Sequence, residues 1–224
     1  MNDWITLKSA RGPVQAWQAA PAGTPRGGLV VVQEIYGVNA HIREVAERFA
    51  AEGYLTLAPA FFDLVESGVQ LDYGPDGSLR GRELVTQVGL DAAVEVVDAA
   101  ANWLRAQLGE ALKVGVVGYC WGGTVALRAA QVLALPAVSY YGARDLPFLD
   151  QSLRAPVMFH FGEHDPSIPP EAVQAHRDKL PGMDVFTYPA GHGFNRDASP
   201  DLYDAPSAAL ALSRSLEFLR EHVG

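Results

Sequence analysis

The sequence predicts an α/β fold, with a mostly parallel central sheet covered by helices on both faces. Short, continuously apolar runs such as Leu29 to Val32 and Lys113 to Val117 are typical of strands buried on both sides. These runs alternate along the chain with longer segments in which apolar residues recur at helical spacing. Because right-handed crossovers join strands and helices in this order, the alternation favours a parallel sheet.

Turn residues and apolar spacing divide the chain into elements. Residues 4–19 alternate weakly around Gly12-Pro13 and predict an opening β-hairpin. Later strands are predicted at residues 29–32, 54–58, 113–117, 137–141, 156–161 and 183–188. Helices are predicted over residues 39–52, 79–108 with an interruption near Gly89, 121–135, 170–180 and 205–222. The stretch Pro59 to Gly77 is rich in glycine, proline and aspartate, and we interpret it as a lid over a pocket.

Composition limits the class of protein. A chain of 224 residues with 49% hydrophobic residues can bury one core, and we expect a single domain over residues 1–224. The formal net charge of -9 repels phosphate backbones and anionic lipids, so we expect no nucleic-acid or membrane partner. The single cysteine needs no oxidising compartment, and neither a leader nor a membrane span is predicted. We therefore expect a cytoplasmic protein that is a monomer or a weak homo-oligomer.

The only cysteine lies in a glycine-rich turn between a predicted strand and a predicted helix. Gly118 and Gly122 flank Cys120 in the pattern Gly-x-Cys-x-Gly. A residue at the apex of such a turn keeps its side chain exposed, and flanking glycines allow the neighbouring backbone to approach closely. Cys120 is therefore the candidate nucleophile, although a buried apolar thiol is the simpler alternative.

A thiol nucleophile needs a base, and the base needs an acid that orients it. His192 stands between two glycines just beyond a predicted strand, and Asp165 follows the preceding strand. Glu163 and Asp145 are the reserve candidates for the acid. The order Cys120, Asp165, His192 is the order of nucleophile, acid and histidine in α/β-hydrolases.

Two competing motifs receive little support. The segment His160-Phe-Gly-Glu-His164 matches a zinc-protease signature, which needs a helix, whereas these residues are predicted to form a strand and a turn. The glycines at 115, 118 and 122 do not have the spacing of a dinucleotide-binding loop. We therefore expect neither a metal nor another cofactor.

Three motifs together identify a resemblance. Gln33-Glu-Ile-Tyr-Gly-Val-Asn39, Gly118-Tyr-Cys-Trp-Gly-Gly123 and Ala190-Gly-His-Gly-Phe194 resemble the dienelactone hydrolase (carboxymethylenebutenolidase) family in order and spacing. The likeness runs from about residue 10 to the end of the sequence. It implies an α/β-hydrolase fold and a Cys120, His192, Asp165 triad. It also implies that Glu34 pairs with the resting thiol and that substrate entry turns the cysteine toward the histidine.

The chemistry of sulfur restricts the substrates. A thiolate that adds to an alkyl ester tends to be expelled again, because the alkoxide is the poorer leaving group. An enol ester or lactone departs as a stabilised enolate, so the expected substrates are activated esters or lactones that form a thioester at Cys120. The N–H groups of Trp121 and Ile35 are the expected oxyanion hole. A thiol-based redox or peroxide-responsive protein is the alternative function.

An anionic substrate needs cations in the cleft. By resemblance, Arg196 binds the substrate carboxylate, and either Arg80 or Arg82 is the second substrate arginine. Tyr36 is a candidate pocket residue. The sequence departs from the family at Gly193, where dienelactone hydrolases carry a serine, so a hydrogen bond to the substrate carboxylate is lost.

Overall fold

The computed structural model describes residues 2–109 and 111–224 of the chain, and an eight-stranded sheet forms its centre. Among these residues the strands are β1 (Asp3–Ser9), β2 (Gly12–Ala19), β3 (Gly27–Val32), β4 (Tyr54–Pro59), β5 (Val114–Tyr119), β6 (Ala137–Tyr140), β7 (Val157–Gly162) and β8 (Asp184–Tyr188). The helices are α1 (Ala40–Ala51), α2 (Pro75–Val88), α3 (Leu90–Leu108), α4 (Trp121–Val132), α5 (Pro170–Lys179) and α6 (Ala205–His222). The α/β prediction is confirmed.

The strand order is β1-β2-β4-β3-β5-β6-β7-β8. The opening hairpin forms one edge, and β2 pairs antiparallel with β4, whereas every pairing from β4 to β8 is parallel. All residues of β3, β4, β5, β6 and β7 are buried, as expected for strands covered by helices on both faces. The predicted mostly parallel sheet is therefore confirmed.

The long helical region divides as its sequence indicates. Gly89 has φ 72°, a left-handed conformation that glycine adopts without strain, and it separates α2 from α3. Helix α2 begins at Pro75, four residues before the predicted start, because Pro75 is well suited to a first turn. The predicted interruption near Gly89 is confirmed.

The segment before α2 is tied to the carboxyl end of β3. It contains a short 3-10 turn at Phe61–Leu64, and the N–H of Leu71 donates to the carbonyl of Tyr36 at 2.9 Å. The segment therefore runs beside the end of a central strand, but none of residues 59–77 lines the cavity that contains Cys120. Its motion as a lid stays a prediction.

Candidate active site

The turn between β5 and α4 holds Cys120 in a strained conformation. The residue has φ 56° and ψ -116°, a combination that costs a residue with a side chain about 1–3 kcal/mol. Backbone hydrogen bonds maintain it: Cys120 N–H donates to Tyr140 C=O at 2.9 Å, and Gly123 N–H donates to Cys120 C=O at 2.9 Å. The thiol is partly exposed at the carboxyl edge of the sheet rather than buried in the core.

The flanking glycines have a steric reason. A Cβ at Gly118 would lie 1.8 Å from the carbonyl oxygen of Gly122, and a Cβ at Gly122 would lie 2.5 Å from that of Val32. Real Cβ atoms are not found this close to backbone oxygen, so the turn excludes any side chain at either position. The sharp turn predicted from Gly-x-Cys-x-Gly is thus present.

His192 and Asp165 form a hydrogen-bonded pair in the loops after β8 and β7. The distance from His192 Nδ1 to Asp165 Oδ2 is 2.6 Å, and Ser167 N–H donates to Asp165 Oδ1 at 2.8 Å. The Asp165 side chain is fully buried, whereas a quarter of the His192 side chain is exposed. With Nδ1–H directed at the carboxylate, Nε2 is the ring nitrogen left to exchange a proton with a reacting group.

The charge state of His192 depends on its neighbours. Burial lowers the pKa of the imidazole, but hydrogen bonds to Asp165 and then to Cys120 outweigh it and raise the pKa of His192 to about 10. The ring therefore keeps a second proton readily at neutral pH, as a base that takes the proton of Cys120 must. The structure brings together the three residues that the sequence predicts as a triad.

The two reserve acids and the segment that matches a zinc-protease signature lie outside the triad. Asp145 accepts hydrogen bonds from Thr124 and from His176 at 3.2 Å, and Glu163 is exposed. Neither is hydrogen-bonded to His192 within the part of the chain that the structure describes. His160 is buried in β7 and bonds Tyr188 and Ser215, in agreement with the prediction that its motif is a strand followed by a turn.

Two backbone N–H groups near Cys120 are candidates for an oxyanion hole. Trp121 is the first residue of α4, so its N–H has no partner within the helix. Ile35 follows β3, and none of the backbone hydrogen bonds of the described residues uses its N–H. Because Ile35 and Trp121 both line the cavity beside Cys120, their N–H groups are available to an oxyanion.

Glu34 makes a buried ion pair with Arg196. Arg196 Nε donates to Glu34 Oε2 at 3.0 Å and Nη2 donates to Oε1 at 2.7 Å, and the Tyr73 hydroxyl donates to Oε2 at 3.3 Å. Burial lowers the pKa of Arg196, but the charge and hydrogen bonds of Glu34 raise it above its usual value. Among the described residues no hydrogen bond joins Glu34 to Cys120, so the structure differs from the thiol pairing that the resemblance implies. Instead, the Glu34 carboxylate pairs with the Arg196 guanidinium, which donates a hydrogen bond to each carboxylate oxygen.

A cavity of about 620 Å³ opens over Cys120 and His192. Its lining includes Tyr36, Arg82 and Arg196, but not Arg80. Arg80 instead lies at the surface, where it pairs with Glu66 at 2.6 Å and Glu83 at 3.1 Å. Of the two alternatives left open by the sequence, only Arg82 faces the cavity. Arg196 reaches the cavity wall with its charge already paired, and its role as a substrate arginine stays a prediction.

Sequence reasoning overlooked two residues of the site. Tyr73 bonds Glu34 and lies under the guanidinium of Arg196, with its ring centre 4.4 Å from the guanidinium carbon. It falls in an irregular segment with no pattern to reveal it. Arg144 lines the cavity from the loop after β6. Its position shortly after a predicted strand was the available signal, because the carboxyl ends of parallel strands share one edge.

Gly193 has φ 75°, the left-handed region that favours glycine. A Cβ there would lie 3.4 Å from Arg196 Nη2. This is an ordinary van der Waals contact, so the positive φ, and not a steric clash, favours glycine at this position. Across residues 2–109 and 111–224, no group of three His, Cys, Asp or Glu side chains could hold a metal ion, and no helix is long and apolar enough to cross a membrane.

Comparisons with known proteins agree with the fold. The family model of the dienelactone hydrolase family matches residues 14–223. The carboxymethylenebutenolidase of Pseudomonas putida is 34% identical over 232 residues, covering 98% of this chain and 96% of that protein. Carboxymethylenebutenolidase 1 of Cupriavidus pinatubonensis is 30% identical, covering 98% and 97%. The crystal structure of a candidate dienelactone hydrolase from Klebsiella pneumoniae superimposes with a TM-score of 0.89 at 28% identity, over 99% of this chain and 98% of that one.

Proposed function

Because the chain belongs to the dienelactone hydrolase family and is a hydrolase of that type, we propose that it cleaves activated esters and enol lactones through a Cys120, His192, Asp165 triad. One observation supports this chemistry above the others. His192 is hydrogen-bonded to Asp165 through Nδ1, and it lines the same cavity as Cys120, which is large enough for a small ester. This is the arrangement that a nucleophile and its base require.

The first half of the reaction forms a thioester. The Cys120 sulfur, having passed its proton to His192 Nε2, attacks the carbonyl carbon and forms a carbon–sulfur bond. The resulting oxyanion accepts hydrogen bonds from the N–H groups of Ile35 and Trp121. When the oxyanion collapses, the carbon–oxygen bond to the leaving group breaks, and His192 returns its proton to the departing enolate.

The second half regenerates the thiol. His192, now neutral, accepts a proton from water, and the hydroxide attacks the thioester carbonyl. Collapse of the second tetrahedral intermediate breaks the carbon–sulfur bond and releases the carboxylic acid, while His192 Nε2 gives its proton to the departing sulfur. Asp165 stabilises the imidazolium in both halves and holds the tautomer with Nδ1–H, without changing its own protonation.

The expected substrate class follows from the sulfur and from the cavity. An enolate or aryloxide leaving group is a weaker base than an alkoxide, so the first tetrahedral intermediate expels this group rather than the sulfur. The carboxymethylenebutenolidases among the relatives carry the name of a carboxylated unsaturated lactone, and Arg82 in the cavity provides a cation for such a group. We propose small anionic lactones or esters, while Gly193 offers no hydroxyl to the carboxylate of dienelactone itself.

Replacing the nucleophile tests this proposal. In Cys120→Ala, hydrolysis of p-nitrophenyl acetate or of an enol lactone should fall by at least about a thousandfold, because the covalent route is removed. Arg105→Gln, on the surface of α3 and outside the cavity, is a control that should retain wild-type turnover. Undiminished hydrolysis by a folded Cys120→Ala variant would reject the proposal.

The redox alternative is not favoured by these observations. Cys120 is the only cysteine in the sequence, so the chain provides no resolving thiol. Membership of a hydrolase family also favours a nucleophilic role for the sulfur. A redox protein would show no turnover of esters, so the same assay separates the two functions.

A further inference from the structure

Two arginines face the cavity without an acidic partner. Arg82 on α2 and Arg144 after β6 both line it, and no hydrogen bond or ion pair engages either guanidinium among the described residues. The lining includes no aspartate or glutamate. Both arginines are exposed at the cavity, and two unpaired cations there are unusual in a chain with a net charge of -9. This arrangement favours an anionic ligand, because each guanidinium can form a bidentate pair with a carboxylate.

The two guanidinium groups belong to opposite sides of the nucleophile. Helix α2 packs directly on the loop after β3, since a Cβ at Gly81 would lie 1.9 Å from the carbonyl oxygen of Ile35. Arg82, on α2, therefore lies on the side of the cavity that is formed by the loop after β3. Arg144 follows β6, and β5, which leads to Cys120, lies between β3 and β6 in the sheet. A substrate bound across Cys120 consequently meets one arginine on each side.

A buried network fixes the backbone of Arg144. Its N–H donates to Thr124 Oγ1 at 3.2 Å, and the Thr124 hydroxyl donates to Asp145. His176 bonds the other oxygen of Asp145 at 3.2 Å, and Asp145 is 1% exposed. Thr124 lies in the first turn of α4, the helix that begins directly after Cys120. The loop that carries Arg144 is thus attached to the same helix as the nucleophile.

We propose that the site takes a dianionic ester or lactone, with one carboxylate on each side of the reacting carbonyl. Arg82 binds one carboxylate and Arg144 binds the other. Arg144 is then a specificity-determining residue that no sequence motif identifies. The inference rests on the proposed function and deepens it by assigning a second anion subsite to the loop after β6.

Four aryl esters separate the two subsites. Phenyl acetate is neutral, phenyl succinate has a carboxylate on the acyl side, and 4-carboxyphenyl acetate has one on the leaving-group side. The monoester of succinate with 4-hydroxybenzoate carries both. We would measure kcat/KM for the wild type, Arg144→Gln and Arg82→Gln, with Arg105→Gln as the control arginine on α3.

Each cavity variant should lower kcat/KM for the dianion about tenfold relative to phenyl acetate, because one charged hydrogen-bonding partner is lost. Of the two monoanions, one should respond to Arg82→Gln and the other to Arg144→Gln. Arg105→Gln should change none of these ratios. Equal losses for Arg144→Gln on phenyl acetate and the dianion, or no loss on the dianion, would overturn the second subsite. Failure of the proposed function is distinguishable, because the wild type would then show no Cys120-dependent turnover of phenyl acetate.

Discussion

Replacement of Arg196 by glutamine should lower the free energy of unfolding by about 3–5 kcal/mol, because it leaves the Glu34 carboxylate buried without a countercharge. The Glu34 side chain is 0% exposed and that of Arg196 is 5% exposed, so the pair is shielded from water in the folded protein. A buried ion pair need not be net stabilising, but removal of one member is costly. The expected destabilisation therefore comes mainly from the orphaned charge.

The contacts of Arg196 account for the size of the expected loss in the free energy of unfolding. Two hydrogen bonds to Glu34, of 3.0 and 2.7 Å, are lost, and hydrogen bonds to charged groups contribute about 1.5–3 kcal/mol each. The guanidinium also lies 4.4 Å from the ring centre of Tyr73 and 5.2 Å from that of Tyr36, and each cation–π contact adds about 0.5–1 kcal/mol. Glutamine recovers part of the hydrogen bonding, which brings the expected loss to about 3–5 kcal/mol.

Urea unfolding measures this effect. Arg196→Gln should shift the midpoint without changing the slope, and Glu34→Gln combined with Arg196→Gln should recover a large part of the loss. Arg220→Gln is the matched control, because its pair with Glu52 is exposed and contributes at most about 1 kcal/mol. An orphaned charge is not the cause if Arg196→Gln unfolds at the wild-type midpoint, or if the double variant is as unstable as the two single losses added together.

Two further predictions concern Glu34 and His160. If Glu34 gates the thiol, as the family resemblance implies, Glu34→Gln should change the rate of Cys120 alkylation by iodoacetamide severalfold; an unchanged rate across pH removes Glu34 from the mechanism. Burial, with a smaller contribution from Arg214, lowers the pKa of His160 to about 3. Below pH 6.5 this histidine binds a proton in the unfolded chain but not in the folded chain. As the pH falls from 6.5 to about 3, His160 should therefore reduce the free energy of unfolding by up to about 1.4 kcal/mol for each pH unit. His160→Asn should flatten that slope in urea titrations at pH 7 and pH 5, and an identical slope would contradict the assignment to His160.

The local features of the site could be predicted from the sequence. The turn around Cys120 has a steric signature, because only glycine fits where Gly118 and Gly122 meet neighbouring carbonyl groups. His192 and Asp165 follow successive strands, and parallel strands bring their carboxyl ends to a common edge. These inferences depend on short stretches of chain and on general rules of sheet topology.

The long-range pairings could not be predicted in the same way. Glu34 and Arg196 are separated by 162 positions, and nothing in the sequence indicates that the carboxylate would pair with the guanidinium rather than with the thiol. Arg80 and Arg82 are two residues apart on α2, so helical geometry directs their side chains differently, and sequence spacing alone did not decide between them. Tyr73 enters the site through an irregular segment whose path depends on tertiary contacts such as that of Leu71 with Tyr36.

Acylation of Cys120 by the substrate is the step on which the proposed mechanism depends. Rapid acid quenching of the wild type with p-nitrophenyl acetate, followed by intact mass and peptide mapping, measures this directly. We expect a gain of one acetyl group on the peptide that contains Cys120, with hydroxylamine sensitivity typical of a thioester, and no such gain in Cys120→Ala. Turnover without acetylation of Cys120, or acetylation of another residue that is competent for turnover, would contradict it.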